Sequence, residues 1–303
     1  MSKFKWLIKK IITLLAGNSQ VKLPSGCSSY PFISGDTFLS LASCNISERN
    51  GELLINSRSV KTNIKFINVD LFNNYDLREI VKPGDKLIIH NGDATPSMEK
   101  INALNLSNIT VFSTNLKYNQ MHMRAQCIPI GIENAHWGRN GSLSYFNGNF
   151  KNNQKKDIPL LVSFSTSTNS IVRENYKKVA LKYGYENNTG LDLDQYREML
   201  SRSLYVLSPP GNGIDCHRTW EAIYHKSIPV LERKYWLFEN LDLPVFIVDK
   251  IEDFFLLTSE MREKLYSEII KKDSSSAYFD YWIRIINGHD HVDEKSVDLS
   301  FRN

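Results

Sequence analysis

The stretch that most constrains this chain runs from Leu204 to Leu231. Leu204-Tyr205-Val206-Leu207 is an apolar run of strand length, too short for a helix. Ser208-Pro209-Pro210-Gly211-Asn212-Gly213 is loop chemistry at every position: the prolines stop the strand, and the glycines permit close backbone approach. Asp215 is placed to cap a following helix. Ile228-Pro229-Val230-Leu231 reads as the next buried strand. Strand, tight loop, helix and strand in sequence commit this part of the chain to an α/β unit with parallel strands.

On the helix, Trp220, Ile223 and Tyr224 share one face, while His217, Arg218 and Glu221 share another, because residues three and four apart are neighbours. A glycine-rich turn feeding a helix start presents free amides and a partial positive charge, which suits a phosphate. Arg218 and His217 can add donors, and Glu221, one turn on, can accept ribose hydroxyls. The set describes a nucleoside diphosphate site with no metal. The plain alternative is a structural turn on which Arg218 and Glu221 merely pair.

The run Pro209-Pro210-Gly211-Asn212-Gly213-Ile214-Asp215-Cys216-His217-Arg218-Thr219-Trp220-Glu221-Ala222, followed by Ile228-Pro229-Val230, resembles the donor-binding segment of exostosin-type glycosyltransferases and their bacterial surface-polysaccharide relatives. Ile128-Pro129-Ile130-Gly131-Ile132-Glu133-Asn134 is similar to a run that closes their N-terminal domain, which would set Glu133 and Asn134 near the cleft. The resemblance implies a GT-B architecture, two Rossmann-like domains facing across a cleft, with the nucleotide sugar on the C-terminal one. By that resemblance Arg218 meets the diphosphate and Glu221 the ribose. The family pattern has a glycine where this helix ends; here the end is His225-Lys226-Ser227, so Lys226 or a neighbour must take that turn at some cost.

Composition is that of an ordinary globular chain of two domains: 303 residues, 42% hydrophobic and 23% charged. A net charge of +4 and a pI near 8.7 are mildly basic. That suits an anionic ligand or membrane face and lacks the basic stripe of a nucleic-acid binder. Cys27, Cys44, Cys127 and Cys216 are scattered, without zinc-type spacing, and read as free thiols of a reducing compartment.

Residues 3–16 pattern as a basic amphipathic helix, too short and lysine-interrupted to span a bilayer, and read either as an in-plane contact with an anionic membrane or as a helix docked on the protein. Pro31–Ser34 reads as a strand and Phe38–Ala42 as a helix. Strands follow at Ile64–Val69, Lys86–Ile89 and Asn108–Thr114. In open α/β sheets ligands sit beyond the carboxyl ends of strands, which makes Asp36, His90 and Asp93 candidates for the base of an inverting transfer. For Asp36 the alternative is an N-cap; for His90 and Asp93 it is a hydrogen-bonded turn.

Polar, glycine-containing sequence over 141–157 is the linker between an N-terminal domain (21–140, after the 1–20 helix) and a nucleotide-sugar domain (158–250). Ile158–Phe164 opens that domain, and Ser165-Thr166-Ser167-Thr168-Asn169 leads into a helix whose Arg173 is a further phosphate candidate. Asp192-Leu193-Asp194 matches a D-x-D metal pattern, but Asp194 reads as a helix cap and no metal is expected. Ile251–Lys271 patterns as a helix, and Tyr278–Ile283 as an aromatic helix turn. Residues 251–303 are expected to pack back on the first domain. His289-Asp290-His291 reads as a polar tail.

Together these readings predict an enzyme transferring a sugar from a nucleoside-diphosphate sugar to a hydroxyl of a surface glycan or lipid-linked glycan. It would use no cofactor beyond that co-substrate and bind no nucleic acid. The expected place is cytoplasmic, on the inner membrane face if residues 3–16 engage it. The donor residues would be Gly211, Asn212, Gly213, Asp215, His217, Arg218, Glu221 and Arg173. The rival reading is a nucleotide- or phosphosugar-binding protein without catalysis.

Overall fold

The structure is a computed structural model that describes residues 29–116, 124–137, 141 and 154–288. The expected helix over 3–16, most of the expected linker over 141–157, and His289-Asp290-His291 lie outside those residues.

The first helix, α1 (Gly35–Ser40), opens behind a capping box in which Ser34 Oγ accepts from Thr37 N at 3.2 Å and Thr37 Oγ1 accepts from Ser34 N at 2.9 Å. Ser34, not Asp36, is therefore the cap. The strand expected at Pro31–Ser34 is reduced to single bridges from Phe32 to Tyr278 and from Ser34 to Ile132. Strands β1 (Cys44–Arg49) and β2 (Glu52–Ser57) form an antiparallel hairpin. It turns on Asn50 and Gly51, at φ 56° and 85°, the paired left-handed conformations of a type I′ turn.

Then follow β3 (Ile64–Asn68), α2 (Val69–Asn74), β4 (Lys86–His90), α3 (Met98–Leu106), β5 (Thr110–Ser113) and β6 (Ala125–Cys127). The sheet order is β2-β1-β3-β4-β5-β6, parallel from β1 to β6. Leu87, Ile88 and Ile89 are all fully buried, as a parallel strand covered on both faces requires.

The second half runs β7 (Ile158–Leu161), α4 (Ser170–Lys182), α5 (Leu193–Arg202), β8 (Ser203–Leu207), α6 (His217–Tyr224), β9 (Ile228–Glu232), α7 (Trp236–Asn240), β10 (Phe246–Val248), α8 (Ile251–Phe255), α9 (Ser259–Ile269) and α10 (Phe279–Asn287). Its four strands are parallel in the order β10-β9-β8-β7. The chain thus has the α/β architecture expected from its sequence, built on two predominantly parallel sheets.

Local chemistry corrects several boundaries. The helix expected over Ile251–Lys271 breaks into two, because Thr258 Oγ1 accepts from Met261 N at 3.3 Å and starts α9 afresh. Asp192, rather than Asp194, caps α5, in a capping box with Gln195. Asp194 reaches Arg197 at 3.6 Å, so the D-x-D pattern is spent on a helix start.

The packing ties the two sheets together through α6. Trp220, Ile223 and Tyr224 belong to the same apolar cluster as Phe38 of α1 and Ile89 and Val111 of the first sheet, while β8 and β9 contribute to a second cluster with α4, α8 and α9. Tyr224 Oη accepts from Ile33 N at 3.1 Å and donates to Ala277 O at 2.6 Å. Phe279, Trp282, Ile285 and Ile286 of α10 join the first cluster, whereas Ile251, Phe254 and Ile269 join the second. Within the expected 251–303 segment it is α10 that returns to the first sheet; α8 and α9 stay with the second, because their apolar faces cover β8 and β9.

Candidate functional site

The loop from β8 to α6 meets the loops beyond β4 and β5. Asn212 Nδ2 donates to Asp93 Oδ2 at 3.0 Å. Asn115, fully buried, accepts from Asp215 N through Oδ1 at 3.1 Å. Its close approach requires a glycine at 213, since a Cβ there would lie 2.7 Å from Asn115 Nδ2.

Asp215, expected as a cap and a donor ligand, does neither. It is buried; Oδ2 accepts from Ile130 N at 2.8 Å and Oδ1 accepts from Trp220 Nε1 at 2.9 Å. Burial pushes its carboxyl up to about 7 against the pull of those bonds. It is a strut between α6 and the segment after β6. Cys216 is the N-cap of α6 and makes no side-chain capping bond; Thr219 N donates to Cys216 O at 3.0 Å, and the positive end of the helix dipole is left without a capping side chain.

Two guanidinium groups stand beside that start. Arg173, buried in the first turn of α4, donates through Nε to Pro210 O at 2.9 Å and through Nη1 to Ser165 O at 2.8 Å and Thr168 Oγ1 at 2.6 Å. The hydroxyl loop 165–169 therefore holds Arg173. Nη2 faces Gly211, where a Cβ would lie 3.0 Å away. Burial, then the charge of Arg218, lowers the pKa of Arg173. Arg218 is half-buried, 5.8 Å from the Phe164 ring centroid, and its Nε is buried with no hydrogen-bond partner. Two like charges are thus held together, one with an unanswered donor, an arrangement that a multiply charged anion would relieve.

Glu221 is buried and its Oε2 accepts from Tyr196 Oη at 2.8 Å. Burial raises its pKa, while the Tyr196 bond, His217 and Arg218 oppose the rise. His217 Nδ1 lies 2.7 Å from Gly131 O and, facing a carbonyl, donates to it. The expected alternative, a plain surface pairing of Arg218 with Glu221, does not describe this geometry, since Glu221 is buried.

The three base candidates part company. His90 is buried; its Nδ1 accepts from Asn91 N at 2.7 Å and its Nε2 donates to Pro129 O at 3.1 Å. Burial pushes its protonation down to about 4. Both ring nitrogens are spent on the backbone, so its place is in the core. Asp36 is buried, with Oδ2 accepting from Ala135 N at 2.7 Å, and burial raises its pKa. Asp93 is exposed and tied to Asn212. The structure brings Asp93 to the loop but leaves Asp36 and His90 in a separate network through Asn91 and Asn134. Sequence reasoning missed Tyr196 and Asn115, which act across the fold; Asn115 directly follows the strand expected at Asn108–Thr114.

No protein-family model and no curated protein matches the chain. Among solved structures it is similar to the trehalose-6-phosphate phosphatase N-terminal domain of Candida albicans, at 14% identity over 75% of this chain and 71% of that one, with a TM-score of 0.39. It is also similar to the apo structure of OtsA, at 14% identity over 74% of this chain and 72% of that one, with a TM-score of 0.41. Among the described residues, no group of three or more His, Cys, Asp or Glu is placed to hold a metal, and no helix is long and apolar enough to cross a membrane.

Proposed function

We propose that the protein is a glycosyltransferase of the exostosin-like GT-B kind, moving a sugar from a nucleoside-diphosphate sugar to a hydroxyl of a surface glycan, with inversion and without a metal. One observation carries the reading: Arg173 and Arg218 converge on an uncapped helix start, and Arg218 Nε is buried without a partner. The leaving group of such a reaction is a diphosphate. Fixed guanidinium groups and the helix dipole stabilise the charge it gains as the bond breaks, without reorganisation. Gly211 and Gly213 let the loop approach, Asn212 latches it to Asp93, and Glu221, bonded to Tyr196, lies one helical turn on from Arg218, where it would accept the ribose hydroxyls. His217 is held at the same helix start by its Nδ1–H bond to Gly131 O. Residues 3–16 would hold the enzyme on the inner membrane face beside a lipid-linked acceptor. The rival reading, nucleotide binding without catalysis, uses the same site and is separated by turnover.

The test is thermal unfolding with UDP, GDP and CMP, on the native chain and on Arg218→Ala and Glu221→Ala. A ligand at 100 times its Kd stabilises by about 2.7 kcal/mol. One nucleotide should raise the melting temperature of the native chain, and both variants should lose most of that rise. A native chain indifferent to all three, or variants that respond as the native chain does, would remove the donor site.

A further inference from the structure

The segment that follows β6 is pinned at nearly every residue. Pro129 O accepts from His90 Nε2 at 3.1 Å, Ile130 N donates to Asp215 at 2.8 Å, and Gly131 O accepts from His217 at 2.7 Å. Gly131 is left-handed at φ 68°, where a Cβ would strike Ile33 O. Ile132 N donates to Ile33 O at 2.8 Å. Asn134 Oδ1 accepts from Asp36 N at 3.1 Å, and Ala135 N donates to Asp36 Oδ2 at 2.7 Å. Between these fixed points stands Glu133. Its Oε2 is buried and has no hydrogen-bond partner.

A rigidly held, unpaired carboxylate oxygen costs free energy, and a group left in that state is waiting for a donor. Glu133 stands close enough to Glu221 to act on its charge, and Arg218 and His217 act on Glu221 too. The site thus holds an acceptor without a donor, Glu133 Oε2, and a donor without an acceptor, Arg218 Nε. A molecule that answers both offers a hydroxyl to one and an anion to the other.

We infer, resting on the glycosyltransferase reading above, that Glu133 is the catalytic base that receives the proton of the acceptor hydroxyl. The acceptor O–H bond breaks and the proton passes to Oε2. The oxygen's electron pair forms the bond to the anomeric carbon of the donor. The bond from that carbon to the diphosphate breaks, and its pair leaves with the diphosphate, facing Arg173 and Arg218. Asp36 and His90 are excluded from this duty by their own hydrogen bonds, and Asp93 by its exposure and its bond to Asn212.

The experiment uses the full chain with UDP-glucose, UDP-galactose, UDP-N-acetylglucosamine and GDP-mannose. Release of nucleoside diphosphate is followed with water or p-nitrophenyl glycosides as acceptor. Glu133→Gln should keep the nucleotide-induced rise in melting temperature and the ligand-free melting temperature. It should lower kcat by about 100- to 10,000-fold with little change in donor KM. Glu133→Ala should regain part of its rate with added formate. A kcat for Glu133→Gln within about tenfold of native, or a raised donor KM at unchanged kcat, overturns the inference. So does a native chain that binds nucleotide but turns over none of the donors. If no nucleotide binds at all, the donor-site reading fails first, and the two failures are told apart by the melting data alone.

Discussion

The two ends of α6 are treated oppositely. At its start the chain withholds a capping side chain, places two arginines nearby and leaves Arg218 Nε unanswered. At its end the chain closes several backbone carbonyls with its own side chains. Lys156 Nζ donates to His225 O and contacts Ser227 Oγ, both at 2.9 Å; Tyr266 Oη donates to Lys226 O at 3.0 Å; Ser227 Oγ donates to Leu200 O and lies 2.7 Å from Ser203 O. A cation at the end of a helix answers its dipole, and so does an anion at its start. Here the protein answers the end with its own hydrogen-bonding groups and gives the start no capping side chain. One end maintains the fold, and the other is kept open at a cost in stability.

If that division holds, substitutions at the two ends should separate binding from stability. The largest effect is expected at the start. Arg218→Ala removes a charged donor from the anion and should weaken nucleotide binding by about 100-fold or more, about 3 kcal/mol. The ligand-free melting temperature should hardly move. An Arg218→Ala chain that melts early yet still binds would reverse the comparison.

Gly213→Ala comes next and touches the seam between the sheets. The new methyl would stand 2.7 Å from Asn115 Nδ2 and 2.8 Å from Oδ1. Asn115 is fully buried and holds the amide of Asp215, so it cannot swing away. A loss of about 2–3 kcal/mol in urea unfolding is expected. An unchanged midpoint would show that the seam gives way without cost.

Much of this contrast could be read in advance. The stretch 204–231 announced its strand, loop, helix and strand, and the structure has them at 203–207, 217–224 and 228–232. The hairpin of β1 and β2 was not read from the sequence, although Asn50-Gly51 is a turn signal, because its apolar alternation is weak: five of the six residues of β2 are exposed. Asp215 misled because an Asp just before a helix has two uses. Capping is local and visible, whereas bridging to Ile130 depends on a segment 85 residues away. His90 misled for the same reason, since the partner of its Nε2 is Pro129. Glu133 Oε2 could not be found from the chain, because an unpaired atom is defined by what surrounds it in space.

The end of α6 yields a prediction with a pH sign. Burial, helped by the charge of Lys226, lowers the Lys156 amine from 10.5 to about 7. The folded state therefore binds fewer protons than the unfolded chain between those values. The contribution of Lys156 is present in full above the unfolded value and is lost as pH falls toward 7. Compared with Lys156→Met, the native chain should gain about 1.4 kcal/mol per pH unit in that window, about 2 kcal/mol between pH 7.5 and 9. The nucleotide response should be the same in both. Parallel stability curves across that range would show that Lys156 keeps its charge.

The smallest effect is at Lys226, which takes the turn after α6 at φ 55°, where the exostosin-type pattern that the segment resembles has a glycine. A side chain in that conformation costs about 1 kcal/mol. Lys226→Gly should recover most of it, less the entropy glycine gains in the unfolded chain. It also removes a positive charge beside Lys156. That repulsion acts only while Lys156 is protonated, so the gain should be larger at pH 6 than at pH 9. Urea unfolding at the two pH values separates the parts: the gain at pH 9 reports the backbone, and the excess at pH 6 reports the charge. A gain equal at both would assign the whole cost to the turn. No gain at either would mean that the closed end of α6 carries no strain, and that its start alone is held at a cost.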